Sequence, residues 1–469
     1  MNGDETMAAR NTNPDGNDAG RVIVLDVVGL HQDHLDAGLA PNLATLLDGG
    51  PTGELRPPFP AVTVPAQTTL ATGTSPGTHG DVANGEYDRD RDVAEFWERD
   101  RGNRNRLWEA ASDEAGLTTA TLFFQHLIGT TADVAVTPSP IEDENNDMIE
   151  MDCWTNPDGF YDELRTEYGH FPLHNYWGPA AGEASSEWIL DAARESIDRY
   201  DPDLLWVYVP HLDYDAQRHG PESAELEDAV ETVDAMVGEF LDWLADTDRW
   251  DETAVSVLSE YGFNAVDTPV FPNRVLRETD LLSVRDDGEG GEEVALETSD
   301  AFAMVDHQIA HVYTDAPDAA EAALRSVDGV ETVLTPDEFA DHGIDHLNAG
   351  DLVLIADRDA WFQYYWWIDD DAAPYYATDM DIHAKPGFDP CELFFGDTGL
   401  ASTDPTKVSG SHGRVDDGAL GFFGLGGPAA PDDSLGADVV DARAVAPTVA
   451  ALLGIDESVS LEFERPSLV

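Results

Sequence analysis

Two rhythms of apolar and polar positions run along the chain. Arg21-Val-Ile-Val-Leu-Asp26-Val-Val is a short β-branched run interrupted by an acid near its end, the pattern of a strand buried on both faces. Comparable runs recur at Thr118–Phe124, Leu204–Val209 and Ala254–Leu258. Helical spacing fills the intervals: Pro41–Leu47 and Pro65–Ala71, each with proline at its start, then Asn105–Ala115, Ser185–Tyr200 and the acidic Ala224–Ala245. This alternation predicts an α/β fold, a doubly wound, mostly parallel sheet flanked by helices. In such sheets functional groups gather just past the carboxyl ends of the strands. Asp26, Asp213 and Glu260 each lie at or just beyond a predicted strand end.

The remaining segments define the expected organisation. Residues 1–20 are polar and rich in Gly, Asn and Asp, and read as a disordered N-terminal segment. Residues 21–469 form one catalytic α/β unit, with an irregular insertion at about 134–181 and a cap-like region at about 315–400. Short strands are expected at Phe302–Val305, Ala310–Thr314 and Leu352–Ile355, and helices at Ala316–Val327 and Ala446–Leu453. The aromatic run Trp361–Tyr376 reads first as packing within the cap, and second as a platform for a planar leaving group.

Charge changes the picture next. Acidic residues number 95 against 24 basic ones, a net charge of −71, spread along the whole chain. Self-repulsion of this size is relieved when molar salt screens it over a few Å, so the composition predicts a high-salt cytoplasm. It also argues against a nucleic acid duplex or an anionic membrane as partner. Two cysteines, Cys153 and Cys391, are too few for a disulfide framework, and no apolar stretch suits a signal peptide or a membrane span. The oligomeric state is not legible.

Four clusters and a late histidine carry the candidate chemistry. Asp26 closes the first strand. Thr63 stands before a predicted helix in Phe59-Pro60-Ala-Val-Thr63-Val-Pro65, followed by Thr72-Gly73-Thr-Ser-Pro76-Gly-Thr-His79-Gly80 and Asn84. An alcohol at a helix start can face a phosphoryl group while helix amides and a metal stabilise its alkoxide. Then come Pro210-His211-Leu-Asp213-Tyr-Asp215-Ala-Gln217-Arg-His219-Gly220-Pro221, Ser259-Glu260-Tyr261-Gly262-Phe263 and Ser409-Gly-Ser-His412-Gly413.

Together these segments resemble the nucleotide pyrophosphatase/phosphodiesterase branch of the alkaline phosphatase superfamily, in order and over residues 21–414. The resemblance implies an alkaline phosphatase-like fold and hydrolysis of a phosphodiester or pyrophosphate bond in a small, phosphate-containing, nucleotide-type substrate. It implies Thr63 as the nucleophile of a phosphothreonine intermediate and Asn84 as the residue that binds a phosphoryl oxygen. It implies two divalent cations, one on Asp26, Thr63 and Glu260, the other on Asp213 and His412. His79 belongs to the motif as a structural residue.

The chain departs from the family where Gln217 and Tyr261 replace two zinc-binding histidines and Glu260 replaces an aspartate. An oxygen-rich donor set suits Mn²⁺ or Mg²⁺ better than Zn²⁺, or leaves a single cation tightly bound. Alternatively His307 with Asp306, His311, His383 or His211 restores the lost nitrogen donors, besides oxygen from Gln217 and Tyr261. Three other functions compete: a pseudoenzyme that only binds, a phosphomonoesterase or phosphonate hydrolase, and a phosphomutase.

Overall fold

The computed structural model describes residues 19–96, 105–142, 148–431 and 438–469. The expected N-terminal segment lies outside them up to residue 18. The sheet strands and the small second sheet follow in chain order. They are β1 (Arg21–Val27), β2 (Thr52–Arg56), β3 (Thr119–Leu122), β4 (Val134–Pro138), β5 (Cys153–Asn156) and β6 (Leu204–Val209). Then come β7 (Thr253–Ser259), β8 (Ala301–Asp306), β9 (Ile309–Thr314), β10 (Val330–Leu334) and β11 (Leu352–Ala356). The last are β12 (Gly421–Gly426) and β13 (Val439–Asp441).

Nine of these strands form one sheet in the order β13-β2-β12-β7-β1-β6-β3-β4-β5. The pairs β7-β1, β1-β6, β6-β3 and β3-β4 are parallel, whereas β12 runs antiparallel to both its neighbours and β5 antiparallel to β4. Strand β1 is buried along its whole length, as a central strand covered on both faces must be. The segment expected to be an irregular insertion supplies β4 and β5 to the sheet, followed by a helix at Phe160–Tyr168.

Helices cover the sheet: α1 (Thr63–Thr72), α2 (Glu183–Tyr200), α3 (His211–His219), α4 (Ala224–Ala245) and α5 (Val445–Leu452). Helix α4 shows why. Ser223 caps it by accepting from the Leu226 N–H at 3.2 Å. Leu226, Val230, Val233, Val237, Phe240, Leu241 and Leu244 recur at three- and four-residue spacing and are buried in the core, while the acids other than the buried Asp234, which accepts from the Asn42 and Leu43 N–H groups, lie off that stripe. Each such side chain contributes about 1.5–3 kcal/mol by leaving water.

The second sheet has the order β8-β9-β11-β10. The aromatic run packs against it: Phe362, Tyr364, Tyr365, Trp366 and Trp367 are buried in its core. Packing is therefore the reading the structure supports for that run. Below it, the buried Lys385 ammonium pairs with Glu392 at 2.6 Å and Asp389 at 3.0 Å. This ion triad fixes the segment that carries Phe388. Among the described residues no helix is long and apolar enough to cross a membrane.

Lys407 is then the one lysine left outside the core, against a net charge of −71. The expected consequence is salt-dependent stability. The thermal midpoint rises by about 10 °C between 0.1 and 2 M KCl, read by circular dichroism. A midpoint indifferent to salt contradicts the reading of the charge.

Candidate active site

Strands β7, β1 and β6 are adjacent and parallel, so their carboxyl ends open on the same edge of the sheet. Asp26, the penultimate residue of β1, lies in register with Leu258 of β7 and Tyr208 of β6. Two residues past Leu258 the chain reaches Glu260, and five past Tyr208 it reaches Asp213 in the first turn of α3. With strands about 4.8 Å apart, topology alone brings three acids far apart in sequence to one place. All three are buried.

Thr63 is the first residue of α1, not the residue before it, and is 5% exposed. Its Oγ1 lies 3.0 Å from the Tyr261 hydroxyl, which reaches Asp213 Oδ1 at 3.5 Å. Gln217, one helical turn beyond Asp213, donates from Nε2 to Asp213 Oδ2 at 2.7 Å. His412 is held from behind: Nδ1 sits 2.8 Å from the Ala61 carbonyl, and Ala61 bridges Gly413. Its Nε2 is thereby left as the acceptor, 3.7 Å from Asp213 Oδ1 and without a hydrogen bond. The candidate nucleophile thus meets Tyr261 directly, and Asp213 and His412 through that phenol.

Asn84 is spoken for on three sides. Its Oδ1 accepts from the Val64 N–H at 2.8 Å, in the first turn of α1. Its backbone N–H and Nδ2 donate to the two oxygens of Asp306, each at 2.9 Å. Asp306 is therefore a support for Asn84. His307 occupies the turn after β8 with φ 61°, and its ring lies between Phe388, on which it stacks, and His412, to which it is tilted by 35°, 3.6 Å from each by ring centroids. His412 in turn stacks on Tyr261 at 3.9 Å. A column of four rings, Phe388, His307, His412 and Tyr261, ends on the hydroxyl that touches Thr63.

The other histidines go elsewhere. Both ring nitrogens of His311 are spent on backbone, the Val82 carbonyl and the Gly350 N–H, each at 3.1 Å. His211 faces Asp215 at 3.7 Å, because positions 211 and 213 point to different sides of α3. His383 lies in a turn closed on Asp381. His79 approaches Thr69 at 3.0 Å, behind the nucleophile on α1. Sequence reasoning missed the Asn84–Asp306 pair, the Thr63–Tyr261 contact and Phe388; an acid ending an otherwise apolar strand was the one available signal, at Asp306.

Burial governs the protonation of the cluster. It pushes the Asp26 and Glu260 carboxyls well up, and Glu260 is raised further by the neighbouring Asp26 and Asp213. Asp213 rises to about 7 from burial, opposed by its bonds from Gln217 and Tyr261. Asp306 likewise rises to about 7, opposed by Asn84. The Tyr261 phenol is raised by burial and then by Asp213 and Glu260. Burial lowers His412 to about 3 and His307 well below its ordinary value.

These facts test the implied cations. The buried carboxyls of Asp26 and Glu260 lie against each other, with no cationic side chain paired to either among the described residues and no well-formed hydrogen bond to any of the four oxygens. Two buried acids side by side are among the costliest arrangements a protein can hold, so the pair fits a divalent cation. Asp213 differs, since each of its oxygens already has a donor. Among the described residues, no three His, Cys, Asp or Glu side chains close into a ready metal cage.

Comparison with known proteins sets this geometry in context. Residues 22–389 match the family described as type I phosphodiesterase / nucleotide pyrophosphatase. An uncharacterised pyrophosphatase/phosphodiesterase of Schizosaccharomyces pombe is 23% identical over 256 residues, 54% of this chain and 46% of that protein. Human ectonucleotide pyrophosphatase/phosphodiesterase family member 7 is 26% identical over 257 residues, 51% of this chain and 49% of that protein. The chain thus spans about half the length of the curated relatives it matches. Among solved structures, murine ectonucleotide pyrophosphatase/phosphodiesterase 5 shares the fold with a TM-score of 0.61 at 15% identity, covering 95% of this chain and 97% of that one. An inactive threonine-to-alanine variant of that protein, in complex with AMP, superposes equally well, with a TM-score of 0.61.

Proposed function

Because the chain belongs to the type I phosphodiesterase / nucleotide pyrophosphatase family, we propose that it hydrolyses a phosphodiester or pyrophosphate bond in a small nucleotide-type substrate. The observation that carries this reading is the buried hydroxyl of Thr63, at a helix start, bonded to the Tyr261 phenol that reaches Asp213 where three adjacent strands deliver their acids. The murine relative's AMP complex supports a nucleotide-type substrate.

In the proposed reaction, Thr63 Oγ1 gives up its proton and attacks phosphorus, an O–P bond forms, and the bond to the leaving oxygen breaks, that oxygen taking up a proton. Water then attacks the phosphothreonine, the Thr63 O–P bond breaks, and a proton returned to Oγ1 restores the alcohol. Asn84 has one Nδ2 proton on Asp306 and a second to offer a phosphoryl oxygen. Asp306 holds it in that orientation. Asp26 and Glu260 would hold a divalent cation. Such a cation, when bound, lowers the proton affinity of the threonine hydroxyl and offsets phosphoryl charge. An oxygen donor set favours Mn²⁺ or Mg²⁺ over Zn²⁺.

The test compares bis-p-nitrophenyl phosphate with p-nitrophenyl phosphate in molar KCl, with Mn²⁺, Mg²⁺ or Zn²⁺ added. The expected outcome is a diester preference of about 10-fold or more in kcat/KM, roughly 1.4 kcal/mol of barrier, with Mn²⁺ or Mg²⁺ outperforming Zn²⁺. A preference for the monoester makes the protein a phosphomonoesterase. Equal silence of wild type and Thr63→Ala under every metal makes it a binding protein.

A further inference from the structure

We propose that Tyr261 is a catalytic residue that holds the nucleophile in place of a second cation, so that the chain binds one divalent cation, on Asp26 and Glu260. The inference rests on the hydrolase reading above for its catalytic half and on geometry alone for its cation count.

The Tyr261 oxygen lies 3.0 Å from Thr63 Oγ1 and 3.5 Å from Asp213 Oδ1. The phenol hydroxyl thus occupies the contact to Thr63 and one oxygen of Asp213, so a cation that took up Asp213 Oδ1 would have to compete with it. The phenol cannot swing aside. Its ring is fully buried, stacked on His412 at 3.9 Å and 10°, with Phe263 against its edge at 5.8 Å. The ring of His412 is backed by His307 and that of His307 by Phe388. The Lys385–Asp389–Glu392 triad anchors Phe388's segment in turn.

The two halves of the site also differ in their demand for positive charge. Asp26 and Glu260 are two buried acids set against each other with no cationic partner among the described residues. Asp213 is a single acid whose oxygens are met by Gln217 Nε2 and the Tyr261 hydroxyl. Two adjacent buried acids call for a divalent ion more strongly than one acid with two donors. His412 Nε2, 3.7 Å from Asp213 Oδ1, and Gln217 Oε1 are the unpaired acceptors on that side. One imidazole, one amide oxygen and one carboxylate already met by two donors carry a single negative charge, a weaker draw for a divalent cation than the Asp26–Glu260 pair.

Hydrogen-bond direction gives Tyr261 its role. The phenol has one proton, and Asp213 is an acceptor for it. The phenol oxygen then accepts from Thr63, whose hydroxyl proton points at Tyr261 and whose lone pairs stay free for phosphorus.

Titration of the wild-type chain with Mn²⁺, by calorimetry and by electron paramagnetic resonance, tests the count. The expected result is one Mn²⁺ per chain with the spectrum of an isolated ion. Tyr261→Phe keeps the ring column and is expected to bind one Mn²⁺ with affinity within about twofold. Its kcat for the diester falls about 100-fold with KM little changed. A melting curve in molar KCl checks its fold. Two Mn²⁺ per chain, or an exchange-coupled spectrum, overturns the single-cation assignment. Full turnover by Tyr261→Phe overturns the catalytic role. Should the wild type bind one Mn²⁺ yet match Thr63→Ala in turning over nothing, the hydrolase reading and the role of Tyr261 fall together, while the cation count stands.

Discussion

Thr63→Ala removes turnover of the diester, with kcat down by about 10⁴-fold or more and the fold intact. The size follows from chemistry: with the attacking oxygen gone, what remains is whatever catalysis the surrounding groups give to water. The fold survives because Thr63 contributes one side-chain hydrogen bond, to Tyr261, and sits in the first turn of α1, where alanine is tolerated. Thr63→Ser keeps the alcohol and retains a measurable fraction of the rate. The assay is kcat for bis-p-nitrophenyl phosphate in molar KCl, beside a melting curve. Alanine retaining a tenth of the wild-type rate removes Thr63 from the mechanism.

The second large effect concerns the acids. Asp26→Asn or Glu260→Gln weakens Mn²⁺ binding by about 100-fold or more, since each takes one charge from a buried pair with no other partner. The same change makes the cation-free protein more stable, by about 2 kcal/mol, because an amide in that position carries no buried charge. The sign of the pH dependence follows. Both carboxyls have folded pKa values raised above their ordinary 3.8 and 4.5. The folded state therefore keeps protons that the unfolded state releases, and the cation-free protein loses stability as pH rises from about 4 through neutrality. Protons and cation compete for these oxygens, so Mn²⁺ binds more tightly at pH 8 than at pH 6. Melting curves with and without Mn²⁺ read both effects. An amide variant that destabilises the cation-free protein contradicts the account of the pair.

Much of this was legible before any coordinates. A β-branched run such as Val22–Leu25 has few homes other than a covered central strand, and the nonpolar stripe of α4 sets its span to the residue. From β1, β6 and β7 the convergence of Asp26, Asp213 and Glu260 followed by topology. Elements without such periodicity were harder. Strand β12, Gly421–Gly426, contains three glycines, carries no strand signal in the sequence, and pairs with β7 and β2. Strands β4 and β5 hid in a segment whose Pro, Asn and Gly suggested irregularity. Helix α3 was invisible because its inward face, Asp213 and Gln217, is polar for the sake of the site. The site's wiring lay further out of reach. Thr63 meets Tyr261 across 198 residues and Asn84 meets Asp306 across 222, and no local pattern encodes such contacts. His311 looked like a donor until its strand position spent both nitrogens on backbone.

Anomalous scattering from crystals of the protein grown with Mn²⁺ asks the most direct question of all, where the ion goes. The account predicts a peak between the carboxylates of Asp26 and Glu260, about 2.1 Å from an oxygen of each, with Thr63 alongside. Density bound elsewhere, with those four oxygens left bare, would contradict it.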